Sequence, residues 1–219
     1  MLHLKQVKAT IEPGVELVAV SKFHPAEAIL EAYEQGQRIF GESRAQELQA
    51  KHEVLPHDIQ WHFIGHLQAN KVKYIAPYIT LIHTVDSLKL LKEIDRQAEK
   101  CNRVIDCLLE LHLAQEDTKY GLTTKACTEL LEAGEWRELQ HIRITGIMCM
   151  ATNTPDEAQI EQEFKRAKLY FDEVKQRFFA KNDYFCQRSW GMSHDYAIAM
   201  RQGANLVRIG TAIFGEREY

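Results

Sequence analysis

The sequence predicts an α/β protein that folds as one (β/α)8 barrel over residues 1–219. Two observations lead to this fold class. Short apolar segments alternate eight times with helical segments through short loops, and no linker, repeat or low-complexity stretch interrupts them. A chain of 219 residues also has the length of a single barrel of this kind. A doubly wound open sheet is the alternative, because periodicity alone does not show whether a sheet closes.

The elements of the first half follow from apolar runs and from helix end signals. Apolar residues before Ser21 predict the first strand at residues 16–21. Pro25 opens a helix at residues 26–35, which Gly36 ends as a C-cap. The next elements are predicted as a strand at 38–42, a helix at 44–52, a strand at 59–65, a helix at 68–75 and a strand at 81–85.

Capping residues locate most helices of the second half. Ser87 caps a helix that reaches about residue 101, and Thr123 or Thr124 caps the next one. Asp156 starts the longest helix, which ends near residue 179. Strands are predicted at 104–113, at 141–150, from 184–186 onward and at 206–209, with a helix at 193–202 before the last of them.

Composition and charge exclude several function classes. Hydrophobic residues make up 45% of the chain and charged residues 26%, as in soluble globular proteins. The net charge of −4 provides no basic surface for nucleic acid or for an anionic membrane. No apolar run has membrane-spanning length, and the first residues lack the apolar stretch of a signal peptide. A cytoplasmic protein is therefore expected.

Neither the thiols nor the imidazoles of the chain are spaced like metal ligands. The five cysteines are scattered and form no C-x-x-C pair, which predicts free thiols rather than disulfides or a zinc site. The ten histidines show no H-E-x-x-H or facial-triad spacing. No metal site is predicted.

One lysine, Lys22, directly follows the first apolar run. In barrels of this architecture, the carboxyl ends of the strands carry the chemistry. A lysine at such a position can form a Schiff base once partial desolvation favours its neutral amine. The alternative is an ordinary solvated lysine in a loop, which is the commoner environment of lysine.

Residues after strands seven and eight have the chemistry of a phosphate site. Ser193 immediately precedes the predicted helix, where its hydroxyl and free backbone N–H groups can face an anion. Gly210 allows close backbone approach, and Thr211 adds an N–H and a hydroxyl. Alternatively, Ser193 is only an N-cap and Gly210 only a turn glycine. A lysine and a phosphate site at one barrel mouth suggest a phosphorylated aldehyde, which describes pyridoxal 5′-phosphate (PLP).

Seven segments of the chain resemble the cytosolic PLP-binding homeostasis proteins, whose TIM-type barrel is similar to the amino-terminal domain of alanine racemase. They cover nearly the whole chain in the family's order, and together they are highly specific. The segments are A-V-S-K-F-H-P at 19–25, F-G-E-S-R-A-Q-E at 40–47, W-H-F-I-G-H-L-Q-A-N-K at 61–71, H-T-V-D-S at 83–87, G-I-M at 146–148, W-G-M-S-H-D-Y at 190–196 and V-R-I-G-T-A-I-F-G at 207–215.

The resemblance implies a role for each candidate site residue. Lys22 corresponds to the Schiff-base lysine, and the phosphate would be held by Ser193, Gly210 and Thr211. Arg208 matches the arginine that faces the pyridine nitrogen in the racemase barrel. A cation there disfavours ring protonation and weakens the electron sink that carbanion chemistry needs. The alternative for Arg208 is a charge paired with a carboxylate at the barrel mouth.

The chain departs from the family pattern at two places. Ser43 stands where the family usually has asparagine, so no side-chain amide role is carried over to it. Arg188, Ser189 and Trp190 replace the usual small or apolar residues before G-M-S, a difference expected to alter the packing of the seventh strand. Neither departure touches the lysine or the phosphate residues.

Other polar residues near the strand ends allow two interpretations each. His62 and His83 are candidates to flank a cofactor ring or to be hydrogen-bonded core histidines. Glu42 and Asp86 either position neighbours or simply cap or pair with a lysine. The basic segment 68–73 is interpreted as a solvated helix face rather than a binding patch.

Three functions remain compatible with these residues. The resemblance implies a monomeric PLP carrier for intracellular PLP homeostasis, which binds PLP as a lysine Schiff base without turnover and has PLP-dependent apoenzymes as possible recipients. The second function is a fold-type-III PLP enzyme, an amino-acid racemase or decarboxylase. In racemases a second, β-rich domain helps supply another acid–base residue, and a sequence ending at Tyr219 is expected to leave no room for it. The third is a phosphate-binding barrel without PLP.

Overall fold

A computed structural model describes residues 3–113 and 120–216 of the chain. The strands are β1 (Glu16–Val20), β2 (Ile39–Glu42), β3 (Gln60–Phe63), β4 (Leu81–Val85), β5 (Ile105–His112), β6 (Ile142–Met150), β7 (Gln187–Ser189) and β8 (Leu206–Ile209). They form a closed barrel in sequence order, and every neighbouring pair is parallel. Because β8 pairs with β1, the open sheet is excluded and the predicted (β/α)8 barrel is confirmed.

Helices connect the strands and cover the outside of the barrel. Short 3₁₀ helices occupy Ala69–Lys71 and Glu135–Glu138. The α-helices are α1 (Leu4–Lys8), α2 (Ala26–Glu34), α3 (Ala45–Val54), α4 (Val72–Ile75), α5 (Leu88–Lys100), α6 (Thr124–Ala133), α7 (Glu157–Phe178), α8 (Tyr196–Arg201) and α9 (Thr211–Phe214).

The predicted helix caps are present as hydrogen bonds. The hydroxyl of Ser87 accepts from the third amide of α5, and the hydroxyl of Thr123, rather than that of Thr124, caps α6. The carboxylate of Asp156 accepts from two amides at the start of α7. These side chains satisfy amides that have no partner inside the helix, which is why they mark the helix starts.

Two clusters of buried side chains hold the barrel together. The larger one lies between the strands and the helices. Five side chains from five different strands form a separate cluster, as expected for side chains that fill the interior of a barrel; they are Val18, Leu81, Leu108, Met148 and Leu206. The strands are buried on both faces, which explains why they are nearly continuous apolar runs in the sequence.

The seventh strand begins later than predicted. The apolar run at residues 184–186 lies before β7, which occupies Gln187–Ser189. Phe185 is fully buried because its ring stacks against Phe179, with centroids 4.2 Å apart. The apolar signal at Phe185 therefore reflects packing between side chains, although the next residue, Cys186, already donates its amide to the carbonyl oxygen of Thr145 on β6 at 2.9 Å.

Among residues 3–113 and 120–216, no helix has both the length and the apolarity needed to cross a membrane. The same part of the chain brings no three histidine, cysteine or acidic side chains together in an arrangement that would hold a metal ion. Cys101, Cys107, Cys127, Cys149 and Cys186 are free thiols.

Candidate functional site

Lys22 lies in a tight turn at the carboxyl end of β1. The turn covers Ser21 to His24 and is closed by the amide of His24, which donates to the carbonyl oxygen of Ser21 at 3.1 Å. Lys22 is its second residue and is half-buried. Phe23, the third residue, has a φ of 68°, the left-handed conformation that a type II turn requires at this position.

The predicted phosphate residues meet at the ends of β7 and β8. The amide of Gly210 donates to the hydroxyl oxygen of Ser193 at 3.3 Å, although 17 residues separate them. A Cβ at Gly210 would lie 3.0 Å from the carbonyl oxygen of Val20, a tighter contact than most side chains make, so glycine favours this close approach to the end of β1. Gly210 thus lies directly beside the strand that carries the Lys22 turn.

The interpretation of Ser193 as the residue just before a helix is wrong. Helix α8 begins at Tyr196, and Asp195 is its N-cap residue. The carboxylate of Asp195 accepts from the amide of Met192 at 2.5 Å and so organises the turn that contains Ser193. The hydroxyl of Ser193 is consequently directed to Gly210 instead of capping α8.

Arg208 is a buried cation on β8 whose hydrogen-bond acceptors are neutral. Only 4% of the residue is exposed. Its guanidinium donates to the carbonyl and hydroxyl oxygens of Ser189 at 2.7 and 2.6 Å and to the carbonyl oxygen of Cys149 at 3.0 Å. Burial lowers the pKa of Arg208. Ser189, one of the departures from the family pattern, therefore helps to hold this arginine.

Two buried histidines continue the polar contacts of Arg208 across the barrel. Nδ1 of His83 lies 2.9 Å from the hydroxyl of Ser189, and its Nε2 lies 3.0 Å from Nδ1 of His62. Burial lowers the pKa of His62 to about 3 and that of His83 well below its usual value. A neutral imidazole can donate with one nitrogen and accept with the other. Both residues are hydrogen-bonded core histidines, and His83 shares the hydroxyl of Ser189 with Arg208.

Glu110 on β5 has a buried carboxyl group whose pKa is affected by the charge of Arg208. It is 3% exposed, and within the described part of the chain its Oε2 atom has no hydrogen-bond partner. Burial and the charge of Asp86 raise the pKa of Glu110 to about 7, although Arg208 acts in the opposite direction. Glu110 thus holds a proton more tightly in the folded chain than in the unfolded chain.

This proton makes stability depend on pH. Between the ordinary pKa of 4.5 and the folded value of about 7, only the folded chain keeps the proton, so stability is lost as pH rises through this window. We expect Glu110→Gln to raise the free energy of unfolding at about pH 8 by about 1–3 kcal/mol and to have little effect at about pH 4. Urea unfolding across this range measures the effect. The exposed Glu138→Gln is the matched control, and an equal effect of Glu110→Gln at both ends would contradict the assignment.

A groove of about 1,090 Å³ lies beside the Lys22 turn. It lies away from Ser193 and Gly210, between the turn, the start of α3 and the segment after β3. Its lining includes Phe23, His24, Arg44, Leu67 and Lys71. Ser43, which replaces the family's asparagine, also lines this groove. The barrel mouth is therefore open on the side of the first three strands.

Comparison with known proteins assigns the family. The family profile described as "Alanine racemase, N-terminal domain" matches residues 3–218. A protein named "Pyridoxal phosphate homeostasis protein" from Aquifex aeolicus is 38% identical over 209 residues, which cover 95% of this chain and 90% of that protein. Its namesake from Pasteurella multocida is 34% identical over 220 residues, covering 99% of this chain and 93% of that one. The chain belongs to the pyridoxal phosphate homeostasis protein family.

Solved structures of other proteins have the same barrel. PipY of Synechococcus elongatus without PLP is 36% identical, with a TM-score of 0.89 and coverage of 97% of this chain and 98% of that chain. PipY with PLP bound is 34% identical, with a TM-score of 0.86 and the same coverage. An alanine racemase from Clostridium difficile, at 16% identity and a TM-score of 0.70, shares the fold over 54% of its length. The resemblance found in the sequence is confirmed.

Proposed function

We propose that this homeostasis-family protein binds PLP at the mouth of its barrel, attaches it covalently to Lys22 and does not turn over a substrate. The observation that carries the proposal is the contact between the ends of β1 and β8. Gly210 lies against Val20, two residues before Lys22, and Ser193 is hydrogen-bonded to Gly210. An amine and a set of phosphate-binding groups thus belong to two neighbouring strand ends.

The chemistry of these residues fits PLP. The bound cofactor supplies an aldehyde, which condenses with a primary amine with loss of water, and a phosphate group that carries negative charge. Lys22 provides the amine. The hydroxyls of Ser193 and Thr211 and the amides near Gly210 provide donors for the phosphate, as in other backbone sites for anions. PLP bound in PipY, a relative with the same fold, supports this assignment.

Arg208 supports binding without turnover. Its guanidinium is held by Ser189 and Cys149, so its position is set before any ligand arrives. As a cation beside the pyridine nitrogen, it would disfavour the protonated ring that carbanion chemistry uses. The relatives are named for homeostasis and not for a reaction. We further propose that the protein is a cytoplasmic monomer that passes PLP to PLP-dependent apoenzymes.

Borohydride reduction of the purified protein tests the assignment of Lys22. We expect the protein to purify with a visible PLP absorption and, after reduction and proteolysis, to carry a pyridoxyl group on the peptide that contains Lys22. Reduction makes the covalent bond between the Lys22 amine and the aldehyde permanent, so the pyridoxyl group stays on the lysine to which PLP was attached. A label confined to Lys71, or no label after incubation with excess PLP, would overturn the proposal.

Absence of turnover is tested by solvent-deuterium exchange at the α-carbon of L-alanine, followed by NMR. We expect no exchange above background with the PLP-loaded protein, because racemisation needs a base on each face of the α-carbon and Lys22 serves only one. An apoenzyme mixed with the loaded protein should instead slowly gain activity as it takes up PLP. Steady exchange that depends on Lys22 would identify an enzyme.

A further inference from the structure

An ion-pair network lies directly beneath the Lys22 turn. The ammonium of Lys51, on α3, donates to Oε1 of Glu42 and to Oε1 of Glu47, both at 2.7 Å, and to the carbonyl oxygen of Ser21 at 3.0 Å. Lys51 is only 7% exposed. These three acceptors match the three N–H donors of an ammonium group. Lys51, Glu42 and Glu47 are called the turn clamp below.

The turn clamp holds the backbone on both sides of Lys22. Before Lys22, the carbonyl oxygen of Ser21 accepts from Lys51, and the hydroxyl of Ser21 donates to Glu42 at 2.6 Å. After Lys22, the amide of Phe23 donates to Glu47 at 2.7 Å. Residues on either side of the reactive position are thus tied to one set of buried charges.

Phe23 explains why the turn requires such support. Its φ of 68° is unfavourable for a residue with a Cβ, and type II turns usually place glycine there. Conformations of this kind persist only where the surroundings enforce them. The hydrogen bond from its amide to Glu47 holds this backbone, and the guanidinium of Arg44 lies 4.7 Å from the centre of its ring.

Burial works against the charges of the turn clamp. Glu42 is fully buried on β2, and burial raises its pKa to about 7 in spite of Lys51 and Ser21. Burial also opposes ionisation of Glu47, but the hydrogen bonds from Lys51 and from the Phe23 amide outweigh it and lower the pKa of Glu47. An ion pair this enclosed is costly to form, so a role beyond general stability is expected of it.

We propose that the turn clamp is a positioning device, which fixes the Lys22 turn in the geometry at which the Lys22 amine reacts with an aldehyde. This inference rests on the proposed function of Lys22. The clamp residues act through the backbone of Ser21 and Phe23 and need no contact with the cofactor. A small displacement of a reacting group slows its reaction strongly, since a shift of about 1 Å can lower the rate about a hundredfold.

The test uses pyridoxal, an aldehyde without the phosphate, as the probe. The full chain is incubated with pyridoxal, reduced with borohydride at intervals and digested, and the label on the Lys22 peptide is measured by mass spectrometry. We expect Glu47→Ala to slow labelling about ten- to a hundredfold. Glu47→Gln, whose amide oxygen can still accept from Phe23, should retain most of the wild-type rate.

Three controls separate positioning from folding. Asp172→Ala breaks the ion pair with Lys168, which is also spaced i,i+4 on an exposed helix face, and should leave labelling unchanged. In a Phe23→Gly background the left-handed turn no longer needs enforcement, so Glu47→Ala should have a smaller effect there. Hydrogen exchange of the Phe23 amide, followed by NMR, should be slow in the wild type and fast in Glu47→Ala.

The outcomes distinguish the two proposals. If the wild-type protein takes no label at Lys22, the proposed function fails. If it is labelled but Glu47→Ala is labelled at the same rate, the turn clamp is not a positioning device. Should Glu47→Ala not fold, rapid exchange of the Phe23 amide in the wild type would overturn the inference by itself.

Discussion

Replacing Lys22 with alanine is expected to abolish the covalent PLP adduct altogether, which is the largest single effect that the structure predicts. No other amine belongs to the turn at the end of β1, and the neighbouring Lys51 already donates to three acceptors. The measurement is borohydride reduction with peptide mapping, together with the visible absorption of bound PLP.

The matched control for this variant is Lys71→Ala. Lys71 lines the groove beside the Lys22 turn, so it is a second lysine that adventitious labelling could reach near this turn. We expect Lys71→Ala to keep the full label at residue 22 and Lys22→Ala to retain only reversible binding through the phosphate. An undiminished covalent adduct in Lys22→Ala would contradict the assignment.

Loss of the phosphate donors is expected to have the second largest effect. Under the proposed assignment, Ser193→Ala and Thr211→Ala would each remove a hydrogen bond to the phosphate, worth about 1.5–3 kcal/mol. PLP affinity should therefore fall by about ten- to a hundredfold for each variant. Pyridoxal, which lacks the phosphate, should bind to both variants as it does to the wild type. Titration of the apoprotein with each compound, followed by absorption, gives the two affinities.

A threonine elsewhere in the barrel provides the control for these substitutions. The hydroxyl of Thr128 on α6 is hydrogen-bonded to Tyr170, away from the mouth, so Thr128→Ala should change neither affinity. Equal weakening of PLP and pyridoxal by Ser193→Ala would instead mean that this side chain supports the turn around Gly210, and the phosphate role would be wrong.

Most of the barrel could be predicted from the sequence because its signals are local. The ranges 81–85 and 206–209 match β4 and β8, since a strand buried on both faces is an apolar run with defined ends. Cap residues such as Ser87 marked helix starts for an equally local reason. The start of β7 was predicted too early because the apolar Phe185 was interpreted as a strand residue. Its ring is instead buried against the rings of Phe171 and Phe179.

Only part of the candidate site could be predicted from the sequence. Lys22, Ser193, Gly210 and Thr211 each follow a strand, so the order of strands and helices was enough to bring them to one end of the barrel. Glu47 and Lys51 were not singled out, because an i,i+4 pair of opposite charges on a polar helix is usually a solvated surface pair. What points to their role is the left-handed conformation of Phe23, and no sequence pattern reveals that conformation.

The sequence by itself determined the order of the elements, the position of most strands and the residues at the strand ends, because these depend on apolar runs and caps within a few residues. Only the tertiary structure decided that β8 closes on β1, that Gly210 touches Val20 and that Ser193 faces Gly210 instead of capping α8. It also decided that Arg208, Ser189, His83 and His62 form one buried set and that Lys51 supports the Lys22 turn. These contacts join residues at least 17 positions apart in the sequence, and their energies come from burial and close approach, which a linear pattern does not carry.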